Sequence, residues 1–144
     1  MNGAGLLADS ADGVNVTSTC SYRGDLRHGQ SREYFDYAQN RIKKKCSYWK
    51  DLLHGIYVVY AEDGEELEMG SYLMGNLHNR RIRFFENAIN GWYVHEVNEF
   101  SHGLLHGQQL TYDRAGELLK VETYKEGRLH GIRALYDHAG CLML

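Results

Sequence analysis

The densest group of side chains able to do chemistry is His95, Glu96, Glu99, His102 and His106. Imidazoles and carboxylates at short spacing are zinc ligands, and the hydrolase helix motif sets two histidines one turn apart with a glutamate general base between them. In this chain Glu99 stands where the second histidine would, and the local pattern is a strand followed by a loop. No metal site is expected there. Five histidines are also periodic: His28, His54, His78, His106 and His130, spaced 26, 24, 28 and 24 residues. Equivalent positions in successive hairpins lie about 9.6 Å apart, too far to share one ion, so these are read as loop-forming or stacking residues. Cys46 and His54 amount to no more than a chance nucleophile and base. Neither a Gly-x-Ser-x-Gly elbow nor a Gly-x-x-x-x-Gly-Lys loop is present. The expectation is a protein that is not an enzyme and carries no metal or cofactor.

The elements that position these histidines emerge from the same periodicity. Four of the five begin a His-Gly pair, and His78-Asn79 replaces it in the third copy. Six residues before each histidine stands Tyr22, Tyr48, Tyr72, Phe100 or Tyr124; six after stands Tyr34, Tyr60, Phe84, Tyr112 or Tyr136. Side chains two, four and six positions beyond the histidine read Ile56, Val58, Tyr60 and Ile132, Ala134, Tyr136, with Ile82, Phe84 and Leu110, Tyr112 in the third and fourth copies. This period of two is that of a strand with one buried face. Turns such as Ala61-Glu62-Asp63-Gly64 and Asp113-Arg114-Ala115-Gly116 separate it from a second strand, and glycine there supplies the positive φ that hairpin turns often need. The leg joining one copy to the next varies by even increments only, 14, 12, 16 and 12 residues, as hairpins demand if no side chain is to change face. The longest leg surrounds Glu86 to Trp92.

The fold class expected is therefore all-β: a repeat array of about five β-hairpins forming an elongated, twisted antiparallel sheet of nine or ten strands. Residues 1–21 show no repeat and are read as an N-terminal arm or cap; residues 22–144 are the repeat domain. The last copy is half a hairpin, ending at Cys141-Leu142-Met143-Leu144, and leaves an apolar edge strand open to self-association.

Composition narrows the partners. Sixteen basic against 19 acidic residues give a formal charge of -3, so no nucleic-acid partner is expected. No stretch approaches the ~20 apolar residues of a membrane helix, so integral membrane association is excluded as an expectation. Gly3 to Leu7 is short and has no lysine or arginine before it, unlike a secretory signal, and the three cysteines have no close pair. A cytoplasmic protein with reduced thiols is expected. Charge is uneven, and the acidic run Glu62, Asp63, Glu65, Glu66, Glu68 in one hairpin turn is a candidate docking patch. Trp92 and Tyr93, outside the repeat registers, are candidate partner contacts. Arg41 to Lys45 and Arg80, Arg81, Arg83 are basic counterparts.

The unit Tyr-x-x-Gly-x-Leu-His-Gly-x-x-x-x-Tyr-x-x-x-Gly, as at Tyr124 to Gly140 and Phe100 to Gly116, resembles MORN repeats. It resembles especially the bacterial variant found in YwqK-type antitoxin-like, immunity-like proteins, and the resemblance covers residues 22–144. Asp51, Asn79, Ala38 and Ala88 depart from it, and the first copy carries Gly24 and Leu26 one position early. The resemblance implies a β-hairpin solenoid that binds another protein. The functional expectation is an antitoxin or immunity protein neutralising a cognate toxin or effector by direct binding and occlusion. The alternative is a MORN-type scaffold or membrane-surface adaptor that binds anionic lipid or a structural partner, with Lys43, Lys44, Lys45 and the arginine cluster Arg80, Arg81 and Arg83 on the lipid.

Overall fold

The computed structural model describes residues 2–3, 17–35, 38–87, 91–131, 133–137 and 139–143. Among them regular structure is entirely β: β1 (Asn2–Gly3), β2 (Ser18–Arg23), β3 (Leu26–Phe35), β4 (Ala38–Trp49), β5 (Leu52–Leu53), β6 (Gly55–Tyr60), β7 (Glu66–Leu73), β8 (Asn76–Leu77), β9 (Asn79–Asn87), β10 (Gly91–Ser101), β11 (Leu104–Tyr112), β12 (Leu118–Lys125), β13 (Arg128–Leu129) and β14 (Ala134–Leu135). Among the described residues no helix is long and apolar enough to cross a membrane. Of the expected N-terminal arm, residues 4–16 lie outside the described residues, while Asn2 and Gly3 pair with Arg23 and Tyr22.

Two compact units form, Met1–Leu67 with Ser71–Asn76, and Glu68–Gly70 with Leu77–Leu144. In the first, antiparallel strands follow the order β1-β2-β3-β4-β6, with β5 folded back on β4. In the second, Glu68 and Met69 pair with Arg83 and Ile82 of β9, and β9-β10-β11-β12 follow in chain order; β13 and β14 both pair with β12.

The reversals that precede His54, His78, His106 and His130 are two-residue turns in which both central residues have positive φ. They are Lys50 and Asp51 (46° and 71°), Met74 and Gly75 (47° and 92°), His102 and Gly103 (49° and 86°), and Glu126 and Gly127 (51° and 83°). This is the type I′ geometry, whose twist matches that of the flanking strands. Aspartate tolerates the left-handed region better than most residues, which is how Asp51 stands where the other copies have glycine. The opposite turns close differently. Gly116 donates its N–H to Asp113 O at 3.0 Å, while the Asp113 carboxylate accepts the N–H groups of Ala115 and Glu117, both at 2.9 Å. Asp137 repeats this arrangement with Ala139, Gly140 and Cys141. Ala88, Ile89 and Asn90 in the longest expected hairpin lie outside the described residues, but that hairpin's arms are paired up to Asn87 and Gly91.

Bulges recur at equivalent positions. Lys43, His95 and Leu119, each five residues before an aromatic of the first register, are extra residues on β4, β10 and β12. On β3 and β11 the His-Gly pair itself lies in an irregularity: Cys20 opposes Ser31 and Tyr22 opposes Arg27, as Asn98 opposes Gln109 and Phe100 opposes Leu105. An added residue bends a strand and locally increases its twist.

The expected buried face requires correction. Ile56 is 71% exposed, and Val58, Tyr60, Ile82, Phe84, Leu110, Tyr112, Ala134 and Tyr136 are half-buried; Ile132 lies outside the described residues. The buried side chains are Cys20 (9% exposed), Tyr57 (3%), Gln109 (5%) and Glu122 (9%). None of these is on the face expected to be buried, because residues an odd number of positions from Ile56 or Leu110 point the other way. Within each unit the described strands form one layer, so a side chain is buried where its cross-strand neighbours close over it. The Tyr72 ring lies 5.0 Å from that of Tyr57, with the Lys44 ammonium 5.9 Å from it. Glu122 is enclosed between Lys120 Nζ at 3.1 Å and Arg133 Nε at 3.3 Å.

Candidate functional site

Strand register aligns one uninterrupted apolar row across the second unit. Met69 opposes Ile82, Ile82 opposes Val97, Val97 opposes Leu110, Leu110 opposes Val121 and Val121 opposes Ala134. Directly opposed residues share a face, so six adjacent strands each contribute one apolar side chain. All six are half-buried rather than covered. In the first unit the same register reads Thr19, Arg32, Lys45 and Val58, mostly polar. Met69, Val97 and Val121 escaped the sequence reading, although each stands three residues before an aromatic of the first register and so formed a legible pattern. The opposite face of this unit carries polar pairs beside aromatic rings: Arg81 donates to Asn98 Oδ1 from Nε at 3.3 Å and Nη2 at 2.9 Å and lies 5.0 Å from the Phe100 ring centre, Arg83 pairs with Glu96, and Phe85 opposes Tyr93.

The predicted binding residues divide between the units. Glu62, Asp63, Glu65 and Glu66 are exposed in and beside the β6–β7 turn of the first unit, whereas Glu68 opposes Arg83 in the second. Part of the acidic run is structural, since the Asp63 carboxylate accepts the Glu65 N–H at 3.0 Å and Arg41 Nη1 donates to Glu62 O at 2.9 Å. Lys45 sits 5.5 Å from the Tyr60 ring centre, so the basic stretch lies beside the acidic turn. Trp92 and Tyr93 are on β10, opposite Glu86 and Phe85. Tyr93 lines a cavity of about 540 Å³ with Phe85, His95, Tyr112 and Leu119. There the bulged His95 stacks on Phe85, ring centres 4.0 Å apart, and its Nδ1 is buried without a hydrogen-bond partner among the described residues.

The periodic histidines act on the backbone. Nδ1 of His28, His54, His78 and His106 accepts the N–H of Lys50, Met74, His102 and Glu126 at 3.2–3.3 Å. Each donor is the first positive-φ residue of the following I′ turn, and the next residue, Asp51, Gly75, Gly103 or Gly127, donates to the carbonyl of Arg27, Leu53, Leu77 or Leu105 at 2.7–2.8 Å. The cluster from His95 to His106 is dispersed among such duties. Glu96 is held by Arg83, Glu99 pairs with Arg80 at 3.4 Å and accepts the Gln108 N–H at 2.9 Å, and His102 Nδ1 meets Ser101 Oγ at 3.1 Å. Among the described residues no group of three or more histidine, cysteine or acidic side chains is disposed to hold a metal ion.

Two local charges in the first unit are perturbed. The Arg27 guanidinium hydrogen-bonds Asp51 Oδ1 at 2.7 Å, which holds the Asp51 carboxyl below the usual carboxylate range and raises Arg27 in turn. Burial pushes the Cys46 thiol and the Tyr48 hydroxyl upward, and a raised thiol pKa leaves less thiolate for nucleophilic attack. His54 offers Cys46 no activation through Nδ1, which is taken by Met74. No protein-family model matches the chain, and no curated protein is significantly similar to it in sequence.

Proposed function

We propose that the chain is a protein-binding module, and that it serves as an antitoxin or immunity protein that neutralises a toxic effector by occlusion. The observation that carries the binding reading is the half-buried apolar row from Met69 to Ala134, aligned across six strands by their pairing. Apolar surface of this kind is costly to hydrate, and burying it against a complementary protein lowers the free energy. Charge supports the same reading: among the described residues the side chains of Glu62, Glu65 and Glu66 form no ion pair, and an unpaired acidic patch speeds encounter with a basic partner. The lipid-adaptor alternative draws less support, because Arg81 and Arg83 are occupied by Asn98 and Glu96 and Arg41 by Glu62 O.

The antitoxin reading rests on the repeat resemblance and is tested by co-expression with the product of the adjacent gene. That product should arrest growth alone, be tolerated when this chain is co-expressed, and co-purify with it. A product harmless on its own overturns the antitoxin reading.

A further inference from the structure

We propose that the second unit holds a binding site for a small soluble phosphomonoester, in the recess between the I′ turns at His102-Gly103 and Glu126-Gly127. The recess is a cavity of about 770 Å³, within the range of small-ligand pockets. Its chemistry begins with a cross-strand pair. Lys125 opposes Arg128, where Arg23 opposes Leu26, Trp49 opposes Leu52 and Ser101 opposes Leu104 at the equivalent turns. Like charges directly opposed destabilise a sheet, and among the described residues neither side chain has an ion-pair or hydrogen-bond partner to offset the repulsion. In the place equivalent to Arg128, Leu104 packs on the next turn, its Cδ2 3.6 Å from a Cβ built on Gly127. Arg128 thus substitutes a second, uncompensated charge for an apolar residue of the pattern, and an anion bound between the two cations offsets the repulsion.

Imidazoles complete the donor set. His106 Nδ1 accepts the Glu126 N–H, which leaves its Nε2–H as a donor. Alone of the five periodic histidines, His130 receives no backbone N–H on Nδ1 among the described residues, so its ring is not committed to a turn. Both rings line the cavity with Lys125 and Arg128. Four donor groups in one recess suit a phosphate, which offers three acceptor oxygens and pairs bidentately with the arginine fork; a carboxylate has one oxygen fewer and a single negative charge. The walls select an ester over the free ion: Leu104 and Leu129, each 50% exposed, line the same cavity and gain by covering an apolar organic group. Among the described lining residues Glu126 carries the one carboxylate, which opposes the charge of the ligand.

The experiment titrates the full chain, isotopically labelled, with phenyl phosphate, benzoate and inorganic phosphate at constant ionic strength. Phenyl phosphate should bind most tightly, shifting the amides of Lys125, Glu126 and Arg128 and the ring nitrogens of His106 and His130. Lys125→Gln and Arg128→Gln should each weaken it about tenfold, the worth of one charge-assisted hydrogen bond, and Glu126→Gln should tighten it. Arg128→Leu, which installs the side chain of Leu26, Leu52 and Leu104 at the equivalent place, should lose binding yet unfold at a higher denaturant midpoint than the parent; amide spectra establish that each variant folds. A lower midpoint would make Arg128 a structural residue and overturn the site. Equal binding of benzoate, shifts at Lys44 and Lys45 as large as at Arg128, or no response to phenyl phosphate would overturn it as well. Phosphatidylcholine vesicles containing phosphatidic acid should leave the chain in the supernatant, and pelleting that Arg128→Leu abolishes would replace the small molecule with a membrane surface. The protein-binding reading stands apart from all of these outcomes, since it rests on the apolar row and is tested by the complex with the adjacent gene product.

Discussion

Gly107 lies against the carboxylate of Glu99: a Cβ built on Gly107 would fall 2.1 Å from Glu99 Oε2 and 3.2 Å from its Cβ. The glycine also has φ of 103°, and the same Oε2 accepts the Gln108 N–H. Both reasons for glycine act together, since any side chain is strained by the backbone and displaces the acceptor of the next amide. Gly107→Ala should lower stability by about 2 kcal/mol in denaturant unfolding. In a double-mutant cycle Glu99→Ala should recover part of that loss, the part due to collision; strict additivity would refute the contact as its cause.

The histidine ladder predicts tautomers. An imidazole Nδ1 that accepts an N–H carries no proton, so His28, His54, His78 and His106 should be Nε2–H tautomers at neutral pH, read from ring nitrogen shifts. His54→Ala should cost about 1 kcal/mol, and the Met74 amide should exchange faster with solvent. Nδ1–H at these positions would contradict the arrangement.

Asp51 combines a left-handed backbone with an ion pair, and substitutions separate the two. Asp51→Gly should unfold at nearly the parent's denaturant midpoint, whereas Asp51→Val, β-branched at φ of 71°, should unfold at a clearly lower one. Because the folded carboxyl titrates below its unfolded value, its contribution is present above the ordinary carboxylate range and is lost as pH falls through the folded pKa. Comparing acid unfolding of parent and Asp51→Gly should therefore show a shallower acid limb in the variant. An unchanged limb would mean that the Arg27 pair is without consequence in solution.

Thiol labelling should follow burial. Cys141 is exposed, Cys46 half-buried with its pKa raised, and Cys20 buried, so an aromatic disulfide reagent at pH 8 should modify Cys141 first and the other two at rates set by opening of the sheet. Equal rates for all three in the native protein would show that the first unit opens as readily as the chain terminus.

How far the sequence alone reaches is clear from particular residues. The registers of Tyr48, His54 and Tyr60, and their equivalents, suffice to give an all-β chain of hairpins, because period-two patterning and turn chemistry are local properties. The I′ turns at Gly75, Gly103 and Gly127 emerged only with the backbone angles, and Asp51 fits among them because aspartate tolerates the same conformation. What the tertiary structure alone decided is which face is covered. Apolarity marked Ile56, Val58 and Tyr60 as inward, yet burial in a single layer depends on the reach of cross-strand neighbours, and that placed Tyr57, Gln109 and Glu122 inside instead. Strand pairing likewise joined Met69, Ile82, Val97, Leu110, Val121 and Ala134, 65 positions from first to last in the chain, into one row. Registers between strands are set by bulges at Lys43, His95 and Leu119, and a bulge is a relation between two strands that no single stretch of sequence contains.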